Sequence, residues 1–275
     1  MIIEKILNQR FAENITAGGS GETPAIVDRI MARKTVRRYT SELPPEPLLD
    51  LLTAAALSAS SKSDFQQASI LRVADPVVRA EIGAMFPAMP WIGVAPAFFV
   101  FLGDARRLQR IGDMRGKSVD NGVLEGFFNA TVDAALALQT FILAAESAGL
   151  GCCPISVIRN KIDQVAPLLG LPDQVFPVAG LCVGYPADAG HVSLRLPRAA
   201  TVHLDRYNDD ALAGLLDTYD AQRHERHPLD QDKQRLAAAY GKAEFYGWSE
   251  DKARQAAERE GAAFPVYLKA HGFTL

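Results

Sequence analysis

The stretch from Asn129 to Gly149 restricts the possible folds more than any other part of the chain. Its apolar residues, Ala134, Ala135, Leu138, Phe141, Ile142 and Ala145, recur at helical spacing and cover most faces. A helix that apolar has to be buried, either in a core or against another subunit. Gly149-Leu150-Gly151 stops it. Around this helix the patterns alternate. Leu48 to Leu57 reads as an apolar helix, and Ala68–Ala74, Pro96–Gly103 and Val175–Gly184 read as strands. The first two of these strands each end at an aspartate, Asp75 and Asp104. Alternation of this kind places the chain in the α/β or α+β class, with helices covering a sheet.

The flanks have a different character. Residues 1–24 read as an extension: a short amphipathic segment, then Gly18-Gly19-Ser20-Gly21, a flexible composition. From residue 208 the chain becomes polar and helical. Leu212, Leu215, Leu216 and Tyr219 mark an amphipathic stretch, Asp220 to Asp232 reads as charged and exposed, and Trp248, with Ser249 as cap, opens another helix. The tail Phe264–Phe273 is apolar enough to dock. The expected organisation is therefore an extension (1–24), a core (25–207) and a helical excursion with a docking tail (208–275). At 275 residues such a chain buries a real core. Its net charge of −3 supplies no attraction to nucleic acid or an anionic membrane. No apolar run is expected to reach membrane-spanning length. The opening Met1-Ile2-Ile3-Glu4-Lys5 lacks the order of a signal peptide. Three cysteines cannot all pair with one another, which fits a reducing cytoplasm.

Familiar catalytic machinery is missing. There is no G-x-S-x-G, no P-loop and no G-x-G-x-x-G after a strand. His224 and His227 lie three apart among charged neighbours, so a solvated face is favoured over a metal site. Cys152-Cys153 are adjacent and read as small residues at a loop. Three polar clusters remain. Arg33-Lys34-Thr35-Val36-Arg37-Arg38-Tyr39 puts four cations at a helix end, just before Pro44-Pro45. Arginine forks there suit a phosphate or a polarised carbonyl, although a basic helix end is also favoured by the macrodipole. Ser58 to Gln67 offers four serines, a lysine, an aspartate and two amides, a set suited to ring carbonyls, ring N–H groups and ribityl hydroxyls. Ser193-Leu-Arg-Leu-Pro-Arg198 adds further arginines. Phosphate-grade arginines without an acid–base set suggest that a bound cofactor carries the chemistry.

Together the clusters resemble the nitroreductase family of FMN-dependent oxidoreductases, over about residues 24–275. The family opens with a basic or His residue, then Ser/Thr, Lys/Arg and an aromatic at alternate positions, as in Arg33 to Tyr39. The Ser-rich loop ending in Gln66 stands where the family's flavin loop stands. Gly149 to Asn160 looks like the segment whose backbone faces the flavin N5. Val183 to Asp188, followed by Arg195-Leu-Pro, Val202-His203 and Tyr207, looks like the branch of NADPH nitroreductases and flavin reductases. The resemblance implies that Arg33, Lys34 and Arg195 serve the FMN phosphate region and that Thr35 donates to a phosphate or ribityl oxygen. Arg37 would lie near N1 and O2, where a cation stabilises charge gained on reduction. Ser60, Ser61, Ser63 and Gln66 would contact the ring edge and ribityl chain, and Ile155, Ser156 and Val157 would present backbone near N5. Asp64 and Phe65 would border the substrate side, with Arg159 at the pocket mouth. Ser193 departs from the family's second basic residue, Asp64 replaces an aromatic or apolar residue, and the loop around Gly241 to Glu244 lacks the family's arginine-rich run.

The implied fold is α+β, with a mixed, mostly antiparallel sheet flanked by helices, in a cytoplasmic homodimer centred on the Asn129–Gly149 helix. The implied function is two-electron reduction of nitroaromatics, quinones or flavins by NAD(P)H, with FMN as cofactor. Hydride enters and leaves through one pocket used in turn, without a catalytic side chain or a metal. Nucleic acid and membrane are not expected partners. The same fold would also accommodate dehalogenation, enone reduction or a non-enzymatic flavin carrier.

Overall fold

The computed structural model describes residues 3–12 and 24–274. In chain order the elements are α1 (Ile3–Phe11), α2 (Ala25–Ala32), α3 (Glu46–Leu57), β1 (Ala68–Arg72), α4 (Pro76–Met85), α5 (Trp91–Val94), β2 (Ala97–Asp104) and α6 (Arg106–Arg115). Then follow α7 (Leu124–Ser147), β3 (Gly151–Ile155), α8 (Ile162–Leu168), β4 (Val175–Gly184), α9 (Leu212–Arg226), α10 (Ala237–Tyr240), α11 (Trp248–Ala257) and α12 (Phe264–Ala270). They form two compact units, Met1–Arg33 with Val192–Arg259, and Lys34–His191 with Glu260–Leu275.

The larger unit is built on a four-stranded sheet of order β1-β2-β4-β3, with every ladder antiparallel. Its two central strands are buried along nearly their whole length, so side-chain alternation feeds two cores. Phe99, Phe101, Leu181 and Val183 face α3 and α7, meeting Leu49, Leu52, Phe141 and Ile142. Phe98, Val100 and Cys182 point the other way, toward Ile82, Phe86, Ile92, Ile158 and Val165. The docking tail closes a third cluster, in which Phe273 and Phe264 set their rings edge-on to Phe176.

Local rules account for most boundaries. Asp75, at the end of the first strand segment, caps α4 by accepting from the Val77 N–H at 2.8 Å, with Pro76 at the first helical position. Asp104 accepts from the Arg107 N–H at 3.0 Å at the start of α6. Gly149, at φ +84°, takes the left-handed turn that ends α7. Leu150 then bonds back to the Ala145 carbonyl and enters the core.

Several expectations need correction. Helix α7 begins at Leu124, five residues before the predicted start. It is also long and apolar enough, by length and composition, to cross a membrane, contrary to the reading of the sequence. Within this fold one face packs on the sheet through Ala130, Ala134, Ala137, Phe141, Ile142 and Ala145. Cys152 and Cys153 lie in strand β3, not in a loop. That strand contains Gly151 and Pro154 and carries little β propensity, so pairing with β4 creates it. Its free edge is met by Thr35 and by the Val36 N–H, which donates to the Cys152 carbonyl at 3.0 Å. Gly151 allows that approach, since a Cβ there would sit 2.7 Å from Val36.

In the smaller unit, Asp220 is buried rather than exposed. It accepts from the backbone N–H and the hydroxyl of Ser249, which secures the first turn of α11. The predicted cap is thus reversed: Ser249 donates, and an aspartate 29 residues away accepts. His224 sets its ring against Phe245, and His227 ends α9. Among the described residues no group of three His, Cys, Asp or Glu converges as a metal site.

Candidate functional site

The Ser-rich loop of the larger unit gathers three of the positive-φ non-glycine residues found among the described residues. Ser63, Asp64 and Gln66 all take positive φ, at 49°, 58° and 54°. Non-glycine residues hold such angles only where the surroundings compel them. The compelling group is Asp133, on the buried face of α7, which sequence reasoning missed. Its carboxylate accepts from the Ser61 hydroxyl at 2.8 Å, the Lys62 N–H at 3.0 Å and the Gln67 N–H at 2.9 Å. Ser61 in turn accepts from the Gln66 N–H at 2.6 Å, and Gln66 donates its amide to Asp64 at 3.0 Å. The Gln66 carbonyl receives Arg107, which also bonds the Ser69 hydroxyl and Asp104. An aspartate inside an Ala-rich helix was the available signal for Asp133: it is the one carboxylate on an otherwise apolar face.

This loop forms one wall of a cleft of about 580 Å³. Ser60, Ser61, Asp64 and Gln66 supply polar groups, and Ala56, Leu57, Ala68 and Ala137 supply an apolar floor. Ser63 and Phe65 do not line it. Phe65 is exposed, with the Lys62 ammonium 5.3 Å from its ring centre. Asp64 therefore faces the cleft and does not pair with Lys62, the turn-capping alternative surviving only as its bond to Gln66. Behind the loop, Gln67 is buried; its Oε1 accepts from Asn121 at 2.7 Å, while its Nε2 has no partner.

Elsewhere in this unit, the basic segment runs along the edge of β3. Lys34 donates to the Ala189 carbonyl, and Thr35 forms a parallel bridge with Cys152. The Arg37 guanidinium lies 5.5 Å from the centre of the Trp91 ring and is otherwise exposed. Arg38 pairs with Asp188 at 3.8 Å. The Tyr39 hydroxyl donates to Val36 at 2.6 Å, and burial raises its pKa far above the ordinary tyrosine value. Ile155 closes β3, exposed Ser156 follows it, and Val157 opens a short 3-10 turn. Arg159 is half-buried and donates to the Val178 carbonyl of β4 rather than to solvent, and burial lowers its pKa.

The remaining arginines belong to the smaller unit. Arg33 ends α2, and its carbonyl accepts from Arg10 at 2.6 Å. Arg195 is exposed along a second cleft, of about 630 Å³, with Ser193, Thr201, Arg223, Phe11, Tyr219 and Trp248. Among the described residues no carboxylate lines this cleft. Arg223, not anticipated from the sequence, keeps a buried Nε without a partner. Its appearance one turn after the buried Tyr219 on α9 was the periodic signal for it.

The comparisons with known proteins agree with this architecture. Residues 30–185 match the model of the nitroreductase family. The FMN reductase (NADPH) of Bacillus subtilis is 35% identical over 198 residues, covering 70% of this chain and 80% of that protein. The oxygen-insensitive NADPH nitroreductase of Salmonella typhimurium is 35% identical over 199 residues, covering 71% and 80%. The solved structure of Bacillus megaterium NfrA2 superposes with a TM-score of 0.82 at 30% identity, covering 92% of this chain and 99% of that one. With the family model spanning more than half of the sequence and the fold shared throughout, the chain belongs to the nitroreductase family.

Proposed function

We propose that this chain uses FMN and NAD(P)H for two-electron reduction of nitroaromatics, quinones or free flavins. The observation that carries the reading is the donor set of the smaller unit. Arg195 and Arg223 line one cleft with the hydroxyl-bearing Ser193, Thr201 and Tyr219 and, among the described residues, no carboxylate, and Arg223 holds an orphaned Nε. Guanidinium forks without a competing anion suit a dianionic phosphate. In this reading Arg195 holds the phosphate of FMN from the cleft, and Arg33, outside its lining, joins it from the end of α2.

The larger unit supplies groups of a different kind. Thr35 and Lys34 would serve the phosphate or ribityl oxygens, and Ser60, Ser61 and Gln66 would serve the ring edge and ribityl hydroxyls from the cleft wall, with Ser63 supporting the loop from outside it. Ile155, Ser156 and Val157 would offer backbone polar groups. The chemistry that FMN supplies when bound is acceptance of hydride from NAD(P)H and its donation to the acceptor. The chain's own task is to bind, orient and tune. Arg37 offers an exposed cation, fixed against Trp91, for charge gained on reduction. Both oxygens of Asp133 are engaged by donors, so it shapes the loop and does not transfer protons. Solvent supplies the proton to the acceptor. Asp64 borders the substrate side from the cleft wall and Phe65 from outside it, while Arg159, in the 3-10 turn after β3, is held by the Val178 carbonyl of β4.

The reading includes a homodimer, which α7 supports. Leu124, Phe128, Val132 and Leu136 recur every four residues and are 37–62% exposed. A second copy of the chain covers this stripe in the proposed assembly, in the cytoplasm. Purified protein should be yellow or load FMN to a flavin spectrum, and should oxidise NAD(P)H faster when a quinone is added. Protein that stays colourless after incubation with excess FMN would sink the proposal.

A further inference from the structure

We infer that Arg10, outside the segment matched by the family model, is a positioning residue that pre-assembles the phosphate-binding arginines. The inference rests on the assignment of Arg33 and Arg195 to the FMN phosphate. Arg10 sits in the last turn of α1 and is only 6% exposed. A guanidinium so thoroughly removed from water is costly unless its donors are satisfied. Its Nε donates to the Met31 carbonyl at 3.1 Å. Its Nη2 donates to Arg33 at 2.6 Å and reaches Ile30 at 3.4 Å, and its Nη1 donates to Ser193 at 3.1 Å. The Arg10 carbonyl accepts from the Arg195 N–H at 2.8 Å.

One residue therefore holds both predicted phosphate ligands by their backbones. The contacts join positions 183 residues apart in sequence. Helix α1 is itself anchored, because Arg226 of α9 donates to the Asn8 and Gln9 carbonyls at 3.3 and 3.4 Å.

Two physical effects follow. Ile30 and Met31 lie in the last turn of α2, whose carbonyls carry the negative end of the helix dipole. Arg10 caps these carbonyls and offsets that negative field beside Arg33, where an anion must arrive. It also orders the Arg33 and Ser193–Arg195 backbones before any ligand binds, so binding need not meet the entropy of ordering them. Arg10 spends its donors on protein carbonyls. Its role is to place the two ligands rather than to serve as a third one.

The test compares FMN with riboflavin, which has the same ring and no phosphate. Apoprotein is titrated with each by fluorescence quenching. For Arg10→Met the FMN dissociation constant should rise about ten-fold, the scale for ordering one residue, while that of riboflavin stays within about two-fold. Arg10→Lys keeps the charge but cannot span the same set of carbonyls, so it should lose FMN selectivity nearly as far. The Lys variant decides the matter if the Met variant does not fold. Equal weakening of both ligands would make Arg10 a general stabiliser and overturn the inference, as would wild-type FMN affinity in either variant. Wild-type protein that binds FMN no more tightly than riboflavin would remove the phosphate assignment itself, and this inference with it. That result is read before any variant is made.

Discussion

Replacing Asp133 by Ala should release the Ser-rich loop, and the cost can be worked from the structure. The carboxylate is 3% exposed and accepts three neutral donors at 2.8–3.0 Å. Each hydrogen bond to a charged group contributes about 1.5–3 kcal/mol. Lys62 is exposed and Ser61 half-buried, so water takes over their bonds in the variant. The Gln67 N–H is in a fully buried residue and stays unsatisfied, at about 1–3 kcal/mol. Ser63, Asp64 and Gln66 then lose the group that enforces their positive φ, and relax. Relief from burying a carboxylate offsets part of the loss. The net expectation is destabilisation of about 3 kcal/mol, read as a shift of the urea midpoint at unchanged m-value. FMN affinity should fall with it, because Ser60, Ser61 and Gln66 leave the cleft wall. Asp133→Asn keeps the shape but turns one acceptor into a donor, and should cost about half as much. A loss below about 1 kcal/mol for the alanine variant, with the loop still protected in hydrogen exchange, would refute the claim that Asp133 organises the site.

Three further perturbations test separate parts of the reading. Arg33→Ala and Arg195→Ala should each weaken FMN binding by about 2–4 kcal/mol, the scale for losing a charge-assisted phosphate partner; wild-type affinity in an FMN titration of both would contradict it. Asp64 lines the cleft, so Asp64→Asn should raise kcat/KM for an anionic nitrobenzoate far more than for a neutral quinone of similar size, and equal effects would mean that its charge does not reach the acceptor. In the smaller unit, burial pushes the Asp251 pKa up, but bonds from Lys252 and Tyr246 and the charge of Arg235 outweigh it and hold the pKa below the usual aspartate value. A depressed carboxylate pKa stabilises the fold above the unfolded value of about 4, and that stability is lost as pH falls below it. Asp251→Asn should therefore flatten the stability profile below about pH 4, and a profile parallel to wild type would count against the linkage.

The sequence by itself determined the elements that carry their own periodicity. Helix α7 and strands β2 and β4 carry enough apolar residues at regular spacing to be recognised in the sequence, although α7 begins five residues before its predicted start. The cations of Arg33 to Tyr39 were equally visible, because their residue types and spacing are local facts. The tertiary structure alone decided β3, where Gly151 and Pro154 hide the strand until β4 pairs with it. It alone decided that Asp133 holds a loop 72 residues earlier, that Asp220 caps a helix 29 residues later, and that Arg10 grips Ser193. The physical reason is common to all four. A buried polar group or an edge strand takes its meaning from whichever partner packing brings to it, and a partner dozens of residues away leaves no periodic trace in the sequence around either one.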